Sequence, residues 1–425
     1  MIMQTIEQSW GRLIKYHRQQ QKLKQDDVAF GICTPSYLSR IENGVVIAEY
    51  PLYEQLFARL GVNLAANEQQ ERQQLTQLEL IYEKLLSNED LSANEMEQLD
   101  AKQTAMYSYE FQIIQHLIHC RYLLSIKEDD KAREILKGIE PLITWRNDRV
   151  TELYVAITAF AHLSFHEYEE LANREQQFHC AQYLTNAHLF EQANYQYHLA
   201  FANHRSYNFQ KALQHIEMSC SLFSHQYKPL FQLKLYSMKG VIYNDLYRFE
   251  EALKEFEAGL DLLKHVETIQ TPMQFSSLYN NIAYCYECQS DFSKASAHYK
   301  LANEYEEDLH SVINWMRTCL QQNDTVQLKT LLKKYPQSMF TVQHHLYQRQ
   351  LIEYVVNHEF TLSTLKQLEE QAFEHFKEQQ YYSLILFYTP LWGQFYEQLH
   401  AYKQASHCYK LALNASEKVR QRMSS

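Results

Sequence analysis

Five basic side chains, Arg12, Lys15, Arg18, Lys22 and Lys24, fall within thirteen residues near the start of the sequence. The run Thr34-Pro35-Ser36-Tyr37-Leu38-Ser39-Arg40-Ile41-Glu42-Asn43-Gly44 follows soon after. Cations at that density suit phosphate oxygens. Hydroxyls with a guanidinium one helical turn away suit base edges. The chemistry expected here is recognition of DNA, not bond making. A second polar set recurs much later: Asn194, Tyr197 and His204, then Lys234 and Asn244, then Asn280, Asn281 and Tyr284. Asparagine is a poor helix former. Its amide both donates and accepts, so a row of such residues suits a peptide backbone of any sequence.

Neither set points to catalysis. The sequence has no Gly-rich phosphate loop, no GxSxG and no HExxH. His162 and His166 are expected on one helix, four apart, without the glutamate that HExxH chemistry needs. Cys285 and Cys288 form a lone CxxC with no second pair and no histidine at ligand spacing. They read as two thiols on a packed helix. No enzyme activity, cofactor or metal is expected.

Composition narrows the class. The 425 residues hold 40 Lys+Arg against 51 Asp+Glu, a net charge of −11 that argues against blanket coating of nucleic acid. Only 8 Gly and 7 Pro occur, too few for the turns of a many-stranded β protein. Four of the glycines lie in the first 61 residues, so the remainder reads as nearly uninterrupted helix. No run of about 18 apolar residues suggests a membrane span. Met1 to Glu7 lacks the pattern of a signal peptide. The eight cysteines are scattered, so reduced thiols in a cytoplasm are expected.

The elements that position the first set are short helices. Trp10, Leu13, Ile14 and His17 suit a first helix, and Gln25 begins a second. Gly31-Ile32-Cys33 is a turn. Thr34 is an N-cap and Pro35 the first position of a third helix that stops at Asn43-Gly44. A last helix runs from Leu52 to Leu60 and ends at Gly61. This spelling resembles the phage-repressor-like helix-turn-helix family. Lys24 departs from its pattern, which has Ser or Thr before the Gln, and costs the second helix its cap. In that geometry the third helix enters the major groove with its first residues facing bases. Those residues are Thr34, Pro35, Ser36 and Tyr37, with Arg40 one turn later. Val28, Ala29, Leu38 and Ile41 hold the helices together, and Lys15, Arg18, Lys24 and Gln25 hold phosphates. One such module makes few base contacts, so a dimer on a double-stranded operator is expected.

Residues 66–100 hold nine acidic and two basic side chains, with Leu75, Leu78, Ile81 and Leu85 at helical spacing. They read as an acidic linker helix. Beyond it the sequence repeats. Gly240, Tyr243, Phe249, Ala252, Phe256 and Gly259 share their spacing with Ala283, Tyr286, Phe292, Ala295, Tyr299 and Ala302. Gly393, Tyr396, Tyr402, Ala405, Tyr409 and Ala412 repeat it, and Ala200, Asn203, Phe209, Ala212, Ile216 and Ser219 do so more loosely. A degenerate copy surrounds Cys120, Ala132 and Leu136. Small residues between aromatics let paired helices pack closely, and the pattern resembles the tetratricopeptide repeat. Residues 110–195 and 305–385 are expected to hold divergent copies. The fold expected is all-α: a helix-turn-helix domain over residues 1–65, the linker over 66–105, and a right-handed tetratricopeptide-repeat solenoid over 106–425. The polar set from Asn194 to Tyr284 would line its groove.

This combination resembles the quorum-sensing receptors of Gram-positive bacteria, the Rap, Rgg, NprR, PlcR and PrgX group. Residues 31–43 are most similar to the NprR type. The resemblance implies a receptor that binds a reimported signalling peptide in its groove and changes its oligomeric arrangement, dimer to tetramer for instance. DNA binding would change with it. It also implies a sporulation phosphorelay response regulator as a partner of the peptide-free form. A phage-encoded receptor controlling lysis and lysogeny shares this plan. So does a repeat-domain scaffold that no longer reads DNA.

Overall fold

A computed structural model describes residues 2–62, 64–99, 108–357 and 361–424. Helix accounts for every regular element among them. The chain divides into two compact units, Met1–His198 and Leu199–Ser425.

The first unit opens with α1 (Ile2–Gln20), α2 (Gln25–Ala29), α3 (Pro35–Glu42) and α4 (Tyr50–Arg59). Trp10, Leu13, Ile14, Val28, Ala29, Leu38, Ile41, Tyr53, Leu56 and Phe57 form their common core. The glycines act as expected: Gly31, Gly44 and Gly61 take φ of 72°, 69° and 78° at the turns. The acidic segment holds two helices where one was expected, α5 (Leu64–Ser87) and α6 (Ala93–Leu99). Asn88 at φ 56° ends the first, and Ser92 with Glu95 caps the second through reciprocal bonds. Residues 100–105 of the expected linker lie outside the described residues. Leu78, Ile81, Tyr82 and Leu85 bury their stripe in one core with α7 (Tyr109–Ser125) and α9 (Arg149–Ser164).

From α7 onward the helices come in antiparallel pairs. In the first unit α7 pairs with α8 (Asp129–Ile139), and α9 with α10 (Tyr168–Phe178). α11 (Leu189–Arg205) follows and runs past the unit boundary to α12 (Phe209–Phe223). The second unit then holds α13 (Pro229–Asp245) with α14 (Phe249–His265), and α15 (Pro272–Cys288) with α16 (Phe292–Tyr305). After them come α17 (Leu309–Gln321) with α18 (Thr325–Lys334), α19 (Gln343–Asn357) with α20 (Leu362–Glu378), and α21 (Tyr382–Gln398) with α22 (Tyr402–Ser424). The small residues sit where helices cross. A Cβ on Gly240 would come within 2.5 Å of the Phe256 ring, and one on Gly393 within 2.7 Å of the Tyr409 ring.

The turns inside these pairs are not made by glycine. Lys127, His166, Tyr207, Tyr247, Ser290, Asn323 and His400 all take left-handed φ between 55° and 66°. In each, the N–H of the residue after the turn residue bonds the carbonyl five positions before itself, closing a Schellman-type cap, as in Asp291 N to Tyr286 O at 2.9 Å. That is why a count of glycines reads this region as unbroken helix. Seven residues before each turn residue lies the crossing position: Cys120, Ala159, Ala200, Gly240, Ala283 and Gly393. In α17 that position is Met316, a large residue, which hides the copy. An L-residue in this conformation costs about 1 kcal/mol. Ser290→Gly, at an exposed turn, is therefore expected to raise unfolding stability by about 0.5–1 kcal/mol. Thermal unfolding checks it, and an unchanged or lower midpoint contradicts the strain.

Candidate functional site

The start of α3 is built to be presented. Thr34 is its N-cap, and the Thr34 hydroxyl accepts the Tyr37 N–H at 3.2 Å. Pro35 occupies the first turn without losing a needed donor. Thr34, Pro35, Ser36 and Arg40 are exposed and Tyr37 is half-buried, while Leu38 and Ile41 face the core. Together these residues form one polar edge with a cation one turn in.

Behind that edge lies an ion pair that the sequence did not announce. Glu42, buried at the end of α3, accepts both arms of the Arg18 guanidinium at 2.6 and 2.9 Å. Gln25 Nε2 donates to the same carboxylate at 2.8 Å, and Arg18 Nη1 donates to Leu23 O at 3.0 Å. The hydrogen bond to Glu42 raises the Arg18 pKa. Arg18 and Gln25, both expected at phosphates, meet this buried carboxylate and so fix α1, α2 and α3 to each other. Lys15 donates to Asn43 Oδ1 at 2.9 Å, and Lys24 is exposed. Lys24 supplies no side-chain cap. Asp27 reaches back to accept its N–H at 2.8 Å, which replaces half of the missing capping box.

The second polar set divides between the units. On α11, Asn194 and Tyr197 belong to the first and His204 to the second. Asn194 turns its amide to Phe190 O at 3.1 Å. His204 Nε2 lies 2.6 Å from Asp245 Oδ2 on α13. Asn244 is buried and donates to Cys288 Sγ at 3.5 Å, while its Oδ1 has no hydrogen-bond partner in the protein. Asn280 accepts from Asn314 Nδ2 at 3.2 Å. Lys234, Asn281 and Tyr284 are half-buried on the first helices of their pairs. Within the second unit, then, the structure joins Asn244 to Cys288 and Asn280 to Asn314, and places His204 against Asp245. Spacing alone gave none of these partners. Tyr284 also lies under Arg317, 5.8 Å from the ring. Arg317 forks onto buried Glu287 at 2.7 and 2.9 Å, and the Tyr299 hydroxyl adds a bond of 2.8 Å.

His162 and His166 do not form a pair. His162 is on α9 and meets Glu167 at 2.9 Å, whereas His166 lies beyond the helix in the left-handed turn, 2.6 Å from the Tyr168 hydroxyl. The expected shared helix face is therefore absent. No described helix is long and apolar enough to cross a membrane.

Residues 14–66 match the Helix-turn-helix family. Among curated proteins, the chain is 20% identical over 408 residues to the "Transcriptional activator NprA" of Geobacillus stearothermophilus, covering 91% of this chain and 98% of that one. A solved Rap protein complexed with Competence and Sporulation Factor superposes with a TM-score of 0.66, at 12% identity, over 83% of this chain and 99% of that chain. The chain has the fold of the Rap and NprR receptors. NprR in complex with its cognate peptide NprX gives a TM-score of 0.59, at 15% identity, over 80% of this chain and 98% of that chain. The helix-turn-helix and helical-repeat plan expected from the sequence is thus the observed one.

Proposed function

We propose that this protein is an intracellular, peptide-regulated transcription factor. Its α3 edge reads a double-stranded operator as a dimer, and a short signalling peptide binds the polar face of its repeats. The observation that carries the reading is the α3 edge itself: exposed Thr34, Pro35, Ser36 and Arg40 on a helix locked from behind by Arg18, Gln25 and Glu42. Such a frame fixes the docking element before DNA arrives. The peptide half is supported by Asn244, whose buried Oδ1 lacks a donor that a peptide N–H would supply. The fold shared with a receptor solved with a peptide supports it too.

Two of the exposed cationic residues, Arg40 and Lys24, have different expected effects. Arg40→Ala should weaken operator binding by about 1–3 kcal/mol and relax sequence preference, because it removes a base-facing group. Lys24→Ala should weaken all sequences alike and lower the salt slope by about 1. Footprinting and anisotropy titrations on operator and scrambled DNA separate the two. Equal binding by wild type and Arg40→Ala contradicts the docking edge. Replacing Asn244 and Asn280 by Ala should weaken peptide binding in calorimetry while DNA binding by the peptide-free active form persists. Unchanged peptide affinity removes those residues from the site.

A further inference from the structure

Side chains join the first helices of the pairs in the second unit, each to the next. His204 on α11 meets Asp245 on α13 at 2.6 Å, and Asn244 on α13 donates to Cys288 Sγ on α15 at 3.5 Å. Asn280 on α15 accepts from Asn314 on α17 at 3.2 Å. His310 on α17 lies 3.1 Å from His345 on α19, and the Tyr388 hydroxyl on α21 donates to Gln348 on α19 at 3.5 Å. These links mark one continuous polar face that runs from α11 to α21. His204, Asn244 and Asn280 of the second polar set lie on it.

The two ends of that row meet again. Tyr207, in the turn between α11 and α12, donates its hydroxyl to Gln380 O at 3.1 Å and accepts the Tyr382 N–H at 3.1 Å. These partners lie 173 and 175 positions away, at the turn between α20 and α21. The rings of Tyr207 and Tyr382 are 5.1 Å apart. Arg422 on α22 donates to Ser206 O at 3.4 Å, and its guanidinium lies 5.6 Å from the Tyr382 ring. Tyr207 thereby packs against the core shared by α15 to α22, although it belongs to the first turn of the unit. Tyr247 is the equivalent residue of the next turn, with φ of 59° against 64°, yet it is 74% exposed. Both sides of the junction are stiff. Asn208 N bonds Asn203 O and Tyr381 N bonds Phe376 O, each at 2.8 Å, closing capped turns. Two firm turns held by a few polar contacts open by parting, at a cost well below that of unfolding the helices.

We propose that Tyr207 is the latch of a clasp that closes this row of helices around its polar face, and that the signalling peptide reaches and leaves that face at a rate set by the clasp's opening. The gate rests on the peptide-receptor reading above, whereas the clasp does not. Tyr207→Phe keeps the ring and removes the hydroxyl's bonds to Gln380 and Tyr382. Losing two bonds of ordinary net strength should populate the open form about tenfold more. Entry and exit pass through the same open form, so both rates rise together and affinity is nearly unchanged.

The test uses the full chain. Hydrogen exchange read by mass spectrometry follows opening at the turn between α20 and α21 without any ligand. Tyr207→Phe should speed exchange there about tenfold, and Tyr247→Phe should leave it as in wild type. Should Tyr207→Phe not fold, Arg422→Met is read in its place, with a rise of about twofold. Wild-type exchange in the variant overturns the clasp. A synthetic candidate peptide, encoded beside the gene, then tests the gate by stopped flow. Association and dissociation should both be about tenfold faster in Tyr207→Phe, with affinity within about twofold of wild type. Wild-type rates overturn the gate and leave the receptor reading standing. Faster dissociation alone makes Tyr207 a peptide contact and also overturns the gate. Faster exchange together with no peptide binding supports the clasp and counts against the receptor reading instead.

Discussion

Gly11→Ala should unfold the packing of α1 on α3 and remove operator binding with it. Alanine normally stabilises a helix by about 1 kcal/mol relative to glycine. Here the added Cβ would lie 2.0 Å from the Ile41 carbonyl oxygen and 2.8 Å from its carbon. Both are backbone atoms and cannot rotate away. α1 must move off α3, opening a core in which Ile14 and Ile41 are fully or almost fully buried. Overpacking of this kind costs about 1–3 kcal/mol or more. The propensity gain of about 1 kcal/mol offsets only part of that cost. α3 also carries Arg40 and the Thr34 cap, so the shift moves the proposed docking edge. The expected result is a midpoint several degrees lower and operator affinity reduced at least tenfold. Gly138→Ala is the control. Gly138 is in α8 with nothing within 4 Å of its Cβ, so the same substitution should stabilise by about 0.5–1 kcal/mol. Gly11→Ala with wild-type stability and DNA affinity contradicts the close packing.

Arg149→Met should be strongly damaging. One guanidinium bonds Glu79 on α5, Glu152 on its own helix and Glu191 on α11, at 2.7 to 3.1 Å. Glu152 and Glu191 are almost wholly buried. Burial opposes the charge of Arg149, but its bonds and proximity to Glu79 and Glu191 outweigh this and raise its pKa. Methionine keeps the volume and strands the carboxylates. Leaving a buried charge without its partner costs about 3–5 kcal/mol. Lysine should not rescue it, since a single ammonium cannot fork to three partners. The penalty has a sign with pH. Burial already raises Glu152 despite Arg149, and without Arg149 the pKa rises further above its unfolded value. Such a group destabilises the fold only once pH passes the unfolded pKa and the charge must be buried. The deficit relative to wild type should therefore shrink from about pH 8 to about pH 5. Denaturant titrations at the two pH values check it, and a constant deficit contradicts the charge argument. Because Arg149 ties the acidic α5 to α11, the variant should also weaken any effect of peptide on DNA binding.

Local features were legible in the sequence because they depend on neighbours. Thr34, Pro35, Gly31, Gly44 and Gly61 act through the backbone next to them, and each does what its type predicts. The crossing glycines were legible for a similar reason: Gly240 and Phe256 recur together because one must vacate the space that the other fills. Long-range partners were not legible. Nothing near Arg18 marks Glu42, 24 positions away, as the group it would turn to. Arg149 meets Glu79 across 70 positions. The histidines of α17 and α19 are ordinary until folding joins them. One divergent repeat gave no clear copy because Met316 stands where Cys, Ala or Gly occupies the other crossings.

The central claim is that peptide on the repeats alters DNA binding by the α3 edge. A peptide shifts that balance only by its preference for one arrangement over the other. The direct measurement is operator DNA titrated into the full chain, with and without a saturating candidate peptide encoded beside the gene. A change in DNA affinity of about 100-fold, or about 2.7 kcal/mol of coupling, is expected. Peptide that binds by calorimetry while DNA affinity stays the same would contradict it.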